Sequence, residues 1–407
     1  MNRLTQKYQQ YTQTERDGRL PALDGARALF VLFVGCYHIW QQSWLTPSIS
    51  IGSYYASLDS WLRSGYIWVD AMLLLSGFLL YLPHAEAAES GGKAPGVWQF
   101  YKRRLLRIVP SYYLCVLIML IFVALPGGSY NNPDGTFNAW YMGRDLLAHA
   151  TFMHTLFRFS YIGSPLNGSL WTLGVEMQFY LIFPLAARLF RKKPALCYAG
   201  MLAVAFGYRA WAAALPDTTL YFNQLPAQLD VYANGMALAG IYCAVKRRTK
   251  QDGWTRALFT GLLLVCCCLI ARITAAQAGE SGYDHIRLGQ MQRRFLFSAT
   301  VGLGMLGLLY GARPLRLLMG NRVTRVLSEI SFQFYMWHQV FAVQLKRWNI
   351  PVSEFETPWT VGDRTWQYLY VALCFAGALA ISVLVTYAFE QPIARLGRGR
   401  RAGRKNK

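Results

Sequence analysis

The sequence predicts an all-α polytopic membrane protein of about ten transmembrane helices plus one short interfacial or re-entrant helix, with both termini cytoplasmic. Three observations carry this. The 407 residues are 54% hydrophobic and only 15% charged, against about 25% charged in an ordinary soluble domain. Mean hydropathy is positive, +0.21. The third observation is where the charge sits. With 41 Lys and Arg against 20 Asp and Glu, the chain has a formal charge of +21. A nucleic-acid binder would interleave that charge with aromatics along a groove. Here it gathers instead in short stretches between apolar runs.

A spanning helix needs about 20 mostly apolar residues. The candidate segments are 22–44, 61–82, 105–126, 144–160, 169–190, 194–215, 226–245, 254–278, 293–312, 323–345 and 366–390. The fourth, RDLLAHATFMHTLFRFS, is short and carries two histidines. If it does not cross, the stretches on the N-terminal side hold 29 Lys or Arg and those on the opposite side hold 8. If it crosses, RLFRKKP and KRRTKQDGWTR both face outward, against the positive-inside rule. Ten crossings follow, and the fourth segment lies in the interface or re-enters. On a continuous helix its His149 and His154, five apart, occupy different faces and suit packing rather than a metal pair. No metal site is expected.

The first 20 or so residues are polar and lead directly into an apolar run, so no cleaved signal peptide is expected. The tail RLGRGRRAGRKNK suits an anchor to anionic lipid. The eight cysteines form no CxxC pair and lie in or beside apolar stretches. They are expected as small core residues, not as a disulfide framework.

Ionisable residues inside membrane helices are costly and are candidates for function. In LPALDGARALFVLFVGCYHIW, Asp24 is placed to cap the helix start. Arg27 and His38 are eleven residues apart, about 20° past three full turns, and so share a face about 16 Å apart along the axis. Arg27 alone would equally suit a side chain reaching the headgroups. A neutral imidazole at depth suits general-base work. Asp70, in GYIWVDAMLLLSGFLL, needs a partner, and a link between helices suits it as well as catalysis. The third span opens YKRRLLRIVPSYY, where Arg104 and Arg107 share a face beside Lys102 and Arg103. Such a guanidinium cluster suits phosphate groups or simple anchoring. In NGSLWTLGVEMQFYLIFPL, Glu176 lies about two turns into a helix that Ser169 or Thr172 would cap, with Trp171 at the interface. Its charge needs Arg or His beside it, and without one the carboxyl is expected to be protonated. Asp230 and His338 are single polar residues near span ends, and Gly235 and Gly240 permit close helix packing.

In chain order these blocks, from LDGARALFVLFVGCYH through VDAMLLLSGFLL, RRLLRIVPSYY, SLWTLGVEMQFYLIFP, QLDVYANGMALAG and LSEISFQFYMWHQ to FEQPIARL, resemble the membrane-bound acyltransferase-3 family over nearly the whole chain. That family includes O-antigen and exopolysaccharide acetylases and macrolide acylating enzymes. Its signature of a basic residue, ten intervening residues and a His falls on Arg27 and His38. Its Arg-x-x-Arg pair falls on Arg104 and Arg107, and its Ser-Leu-Trp-Ser-Leu-x-x-Glu block on Ser169, Leu170, Trp171, Thr172, Leu173 and Glu176. Two positions depart from it: Met177 stands where a second Glu is common, and Glu390-Gln391-Pro392 where Glu-Arg-Pro is usual.

The resemblance implies a cytoplasmic segment 1–24, an acyltransferase-like transmembrane domain 25–390 and a basic tail 391–407 in a plasma (inner) membrane protein. It implies acyl transfer from cytoplasmic acyl-CoA, acetyl-CoA in the first instance, to a hydroxyl of a carbohydrate or glycolipid acceptor. Acyl-CoA is then a co-substrate, and no bound cofactor is expected. Arg103, Arg104 and Arg107 would hold its phosphates, with Arg27 near them. His38 would deprotonate the acceptor or take the acyl group itself, Glu176 would orient the imidazole in a common cavity, and Asp24, Asp70, Trp171 and Ser169 would support the site. Family members often carry a fused extracytoplasmic esterase-like domain. None follows the last span here, which implies a separate extracytoplasmic transferase or direct delivery to the acceptor. The remaining partners are membrane lipids, with no nucleic acid. The rival from another class is a transporter or flippase of an amphipathic substrate, which intramembrane charges suit equally well. It predicts no dependence on acyl-CoA.

Overall fold

A computed structural model describes residues 19–52, 54–250 and 252–396. Among them are ten helices of 20 residues or more: α1 (Pro21–Ser43), α2 (Trp68–Glu89), α3 (Val97–Met119), α4 (Trp171–Lys192), α5 (Pro194–Ala213), α6 (Leu225–Arg248), α7 (Gly253–Ala278), α8 (Tyr283–Tyr310), α9 (Arg322–Arg347) and α10 (Arg364–Val385). One antiparallel hairpin, Ser48–Ile51 with Tyr54–Ser57, follows α1. Most of the expected N-terminal segment and the basic end of the tail lie outside the described residues. The tail's first residues do not leave the bundle: a short π-helical stretch, Thr386–Glu390, continues α10 into a helix at Gln391–Leu396.

Each of the ten segments read as spans from the sequence overlaps one of these helices, but 61–82 begins seven residues before α2, 105–126 begins eight residues inside α3 and 293–312 begins ten residues inside α8. Six helical stretches are long and apolar enough to cross a membrane: Pro21–Ser43, Gly65–Glu89, Val97–Ala124, Gly168–Lys192, Gly253–Ala278 and Arg364–Arg395. A seventh candidate is Tyr283–Tyr310 with Arg313–Met319, bent by 112°. The chain is thus a multi-pass helical membrane protein. The less apolar long helices, α5, α6, α8 and α9, turn their polar residues inward. Arg209, Asp230, Arg294, Gln333 and His338 are all buried.

Those inward charges are paired. Arg209 grips Asp230 through two bonds of 3.0 and 2.7 Å, tying α5 to α6. Arg294 of α8 donates from Nε to Asp70 of α2 at 3.2 Å, so Asp70 links helices. Both arginines also donate to the carbonyl of Ala227. Buried charges persist only in company of this kind.

The fourth sequence segment is not one continuous helix. Ala139–Ala150 forms a 12-residue helix capped by Asn138. The chain then turns through Phe152, at φ +58°, into short helical turns at His154–Leu156 and Arg158–Tyr161. This corrects the expected placement of the two histidines. The turn stacks the His149 and His154 rings 4.4 Å apart, because residues five apart diverge only on an unbroken helix. Asp145 lies 3.2 Å from His149 Nδ1.

Close approach of α2 and α6 rests on two glycines. A Cβ on Gly77 would stand 2.7 Å from the Tyr232 carbonyl oxygen, and one on Gly235 would overlap that of Leu74. Gly240, expected to serve the same purpose, meets no atom within 4 Å of an added Cβ. It lies five residues past Gly235, away from the contact. Gly235→Ala is therefore expected to force the helices apart and destabilise the protein by about 1–3 kcal/mol, while Gly240→Ala leaves it unchanged or slightly better. Thermal midpoints of the two purified variants check this, and equal midpoints would refute it.

Candidate active site

Pro21 starts α1 at a position where its missing N–H is no loss. Two turns on, Arg27 faces α9 and donates to Ser328 Oγ at 3.5 Å. Ser328 in turn donates to Asp24 at 3.3 Å. Asp24 therefore does not cap the helix: it lies inside the first turn, within 3.5 Å of Arg19, one hydroxyl away from Arg27. The cap at the start of α4 is also not the expected one. Asn167 accepts from the Ser169 backbone N–H at 2.9 Å, while Ser169 Oγ donates to Gln339 at 2.6 Å. Asn167 stands one turn before α4, where an acceptor side chain reaches the free N–H groups.

Arg27 opens onto a cavity of about 160 Å³ walled by α1, α2, α3, α4 and α9. Arg104, Arg107, Glu176, Ser76, Tyr180 and Tyr335 share its wall. Residues from three separated motifs thus converge at one place. Glu176 accepts from Ser76 Oγ at 2.7 Å and from the hydroxyl of Tyr180, one turn on. The Arg104 guanidinium stands 5.6 Å above the Tyr180 ring. Among the described residues, no carboxylate lies within 4 Å of Arg104 or Arg107, leaving both free for an anion. Arg103 is not in the cavity. It is exposed, with Nε turned back to the Gln99 carbonyl at 3.2 Å, because the residue before Arg104 lies about 100° round the helix.

His38 does not line this cavity, which corrects the expected common site with Glu176. The shared face holds: both Arg27 and His38 meet α9, at Ser328 and at His338, whose ring is 5.2 Å from that of His38. Depth separates them. The residues of α1 that wall the cavity end at Val31, and seven more residues carry His38 about 10 Å further along the axis. Gln41, not Glu176, holds the imidazole, at 2.9 Å from Nδ1. Tyr335 links the two levels, lining the cavity while its ring lies 5.9 Å from that of His338. Asp70, Trp171 and Ser169 lie outside the cavity wall. Asp70 is committed to Arg294, and Trp171 is half-buried against the core.

Sequence reasoning passed over Ser76, Tyr180, Tyr335 and Gln41 and gave His338 no role. Two of these had a signal. Tyr180 follows Glu176 by four residues and Gln41 follows His38 by three, the spacings at which helical side chains meet. Ser76 and Tyr335 come from other helices, and no local spacing marks them.

A model of the "Acyltransferase domain" matches residues 20–387. The chain is 23% identical to the peptidoglycan O-acetyltransferase OatA of Listeria monocytogenes over 93% of its own length and 56% of that protein's. It is 26% identical to a putative acetyltransferase, ORF330, of Acidianus two-tailed virus, over 80% of this chain and 83% of that one. It is 30% identical to the acyltransferase MdmB of Streptomyces mycarofaciens, over 56% of this chain and 52% of that one. It therefore spans about half the length of two of these three relatives. No solved structure matches it. With the domain match running over nearly all of the chain and the basic, histidine and glutamate motifs each in place, the chain belongs to the acyltransferase-3 family.

Proposed function

We propose that this chain is an O-acetyltransferase of the plasma membrane that carries an acyl group from cytoplasmic acyl-CoA to a hydroxyl of a cell-surface carbohydrate or glycolipid. In this reading the chain crosses the bilayer ten times, with both termini cytoplasmic, and the arginine cavity opens to the cytoplasmic side. The observation that carries the proposal is the cavity itself. Three guanidiniums, none of them ion-paired with a carboxylate among the described residues, converge beside an apolar wall of Val31, Val69, Leu73 and Ile108. Guanidiniums suit the phosphates of a nucleotide thioester, and the apolar wall suits its acyl arm. Glu176, bonded by Ser76 and Tyr180, balances the positive charge. From the cavity the shared face of α1 leads past Tyr335 to His38, where the imidazole handles the acyl group and the acceptor. The acceptor arrives from the opposite side, either directly or through a separate extracytoplasmic transferase.

The test uses purified protein in lipid vesicles, acetyl-CoA, a carbohydrate acceptor and free thiol as the readout. Wild type is expected to release thiol in step with acceptor acylation. Arg107→Gln is expected to raise KM for acetyl-CoA roughly 10- to 100-fold, since a hydrogen bond to a charged group contributes about 1.5–3 kcal/mol, with a much smaller change in kcat. An absence of thiol release together with an absence of acetyl-CoA binding would transfer the argument to a transporter of an amphipathic substrate.

A further inference from the structure

Two imidazoles meet between α1 and α9, and each has a nitrogen lone pair to spare. His338 is fully buried, with Nδ1 2.9 Å from the Phe334 carbonyl oxygen. A carbonyl only accepts, so Nδ1 carries the hydrogen and Nε2 the lone pair. That Nε2 is buried and has no hydrogen-bond partner among the described residues, a condition native structures seldom keep without a use for it. On His38 the same reasoning applies. Gln41 donates its amide N–H to the Tyr37 oxygen at 2.7 Å, so its Oε1 accepts from His38 Nδ1 at 2.9 Å, leaving Nε2 free. Among the described residues no carboxylate forms an ion pair with either ring. Tyr37, also in ring contact with His38, has its hydroxyl engaged by Gln41.

We propose that the two rings divide the reaction: His38 Nε2 takes the acyl group, and His338 Nε2 takes the proton of the acceptor hydroxyl. This rests on the acyl-transfer reading above. In the first step Nε2 of His38 bonds to the thioester carbonyl carbon, the C–S bond breaks, and its electron pair leaves with the thiolate of CoA. Nδ1 keeps its hydrogen, and Gln41 Oε1 steadies the positive ring. In the second step the acceptor oxygen bonds to the same carbon and its proton passes to His338. The C–N bond breaks, returning its pair to His38. His338 then gives up its proton, which balances the thiolate released first. A second ring is required because an acylated Nε2 has no lone pair left to act as base. His338 is buried and His38 half-buried, which limits the water that reaches the acyl-imidazolium.

The experiment compares wild type, His338→Phe and His38→Phe in lipid vesicles with acetyl-CoA labelled in the acetyl group. The Phe variant at 338 keeps a ring stacked on Phe334, which lies 5.5 Å away, and unfolding midpoints confirm that the variants fold. His338→Phe is expected to release one thiol per protein in a rapid burst, keep the label on the protein, and transfer to the carbohydrate about 10²-fold more slowly or worse. Hydroxylamine, which needs no base to attack, is expected to discharge that label as fast as in wild type. His38→Phe is expected to give no burst and no label. A wild type that transfers its acetyl group with no protein-bound label detectable on rapid quench, or a folded His338→Phe that loses the burst along with turnover, would overturn the division of labour and leave the acyltransferase reading standing. Absence of thiol release from wild type with every acceptor would remove that reading as well.

Discussion

Replacing His38 by alanine is expected to lower thiol release and acceptor acylation by about 10³-fold or more, as befits loss of the group that handles the reacting acyl or its proton. The protein should fold and bind acyl-CoA as before. His38 is only part-buried, and its polar contact is Gln41 on its own helix, so truncation removes little packing. The arginines that would hold the nucleotide lie about 10 Å or more away along α1. The decisive comparison is kcat against KM: His38→Ala should collapse kcat with KM for acetyl-CoA nearly unchanged, whereas Arg107→Gln should do the reverse. Near-normal turnover in a folded His38→Ala protein would remove His38 from the chemistry and shift attention to the Glu176 end of the cavity.

How far this site could be read from the sequence follows from what helical phase encodes. Eleven residues return almost to the same angle, so the common face of Arg27 and His38 is legible from the sequence alone. Three residues likewise placed Arg104 and Arg107 together. Phase says nothing of where a cavity ends. The α1 residues on the wall of the space that takes in Arg27 end at Val31, and the rest of that wall comes from α2, α3, α4 and α9, none of it local to α1. Glu176 could be known to need company, but its donors come from Ser76, a hundred residues earlier, and Tyr180, one turn on.

The ten long helices were readable from apolar length and charge bias. The break at residues 151–153 was not, because ATFMHT carries neither Gly nor Pro. The misplaced caps have the same origin. Ser169 and Asn167 are both good acceptors near a helix start, and only the first backbone turn decides which one faces the free N–H groups. Arg103 fell outside the cavity for a reason that was legible, since adjacent residues on a helix never share a face.

Arg294→Met is expected to be the most damaging single change to the fold. Arg294 is among the largest fully buried side chains in the protein, and it holds four acceptors at once. They are Asp70 at 3.2 Å, the Phe222 carbonyl at 2.7 Å, the Asn223 side chain at 3.0 Å and the Ala227 carbonyl at 3.3 Å. Met fills similar space and donates nothing. Asp70 would be left as a buried carboxylate with its ion pair gone, and breaking such a pair from one side costs about 3–5 kcal/mol. Against a typical total stability of about 5–15 kcal/mol, the loss is expected to lower the thermal midpoint steeply and to cut the yield of monodisperse protein. Asp70→Asn combined with Arg294→Gln removes both charges and keeps a donor near the carbonyls, so it should recover much of the loss. The order of the two results separates electrostatics from packing. A double variant as unstable as Arg294→Met would mean that the shape of Arg294, not its charge, holds α2 against α8, and an Arg294→Met protein as stable as wild type would refute the ion-pair account outright.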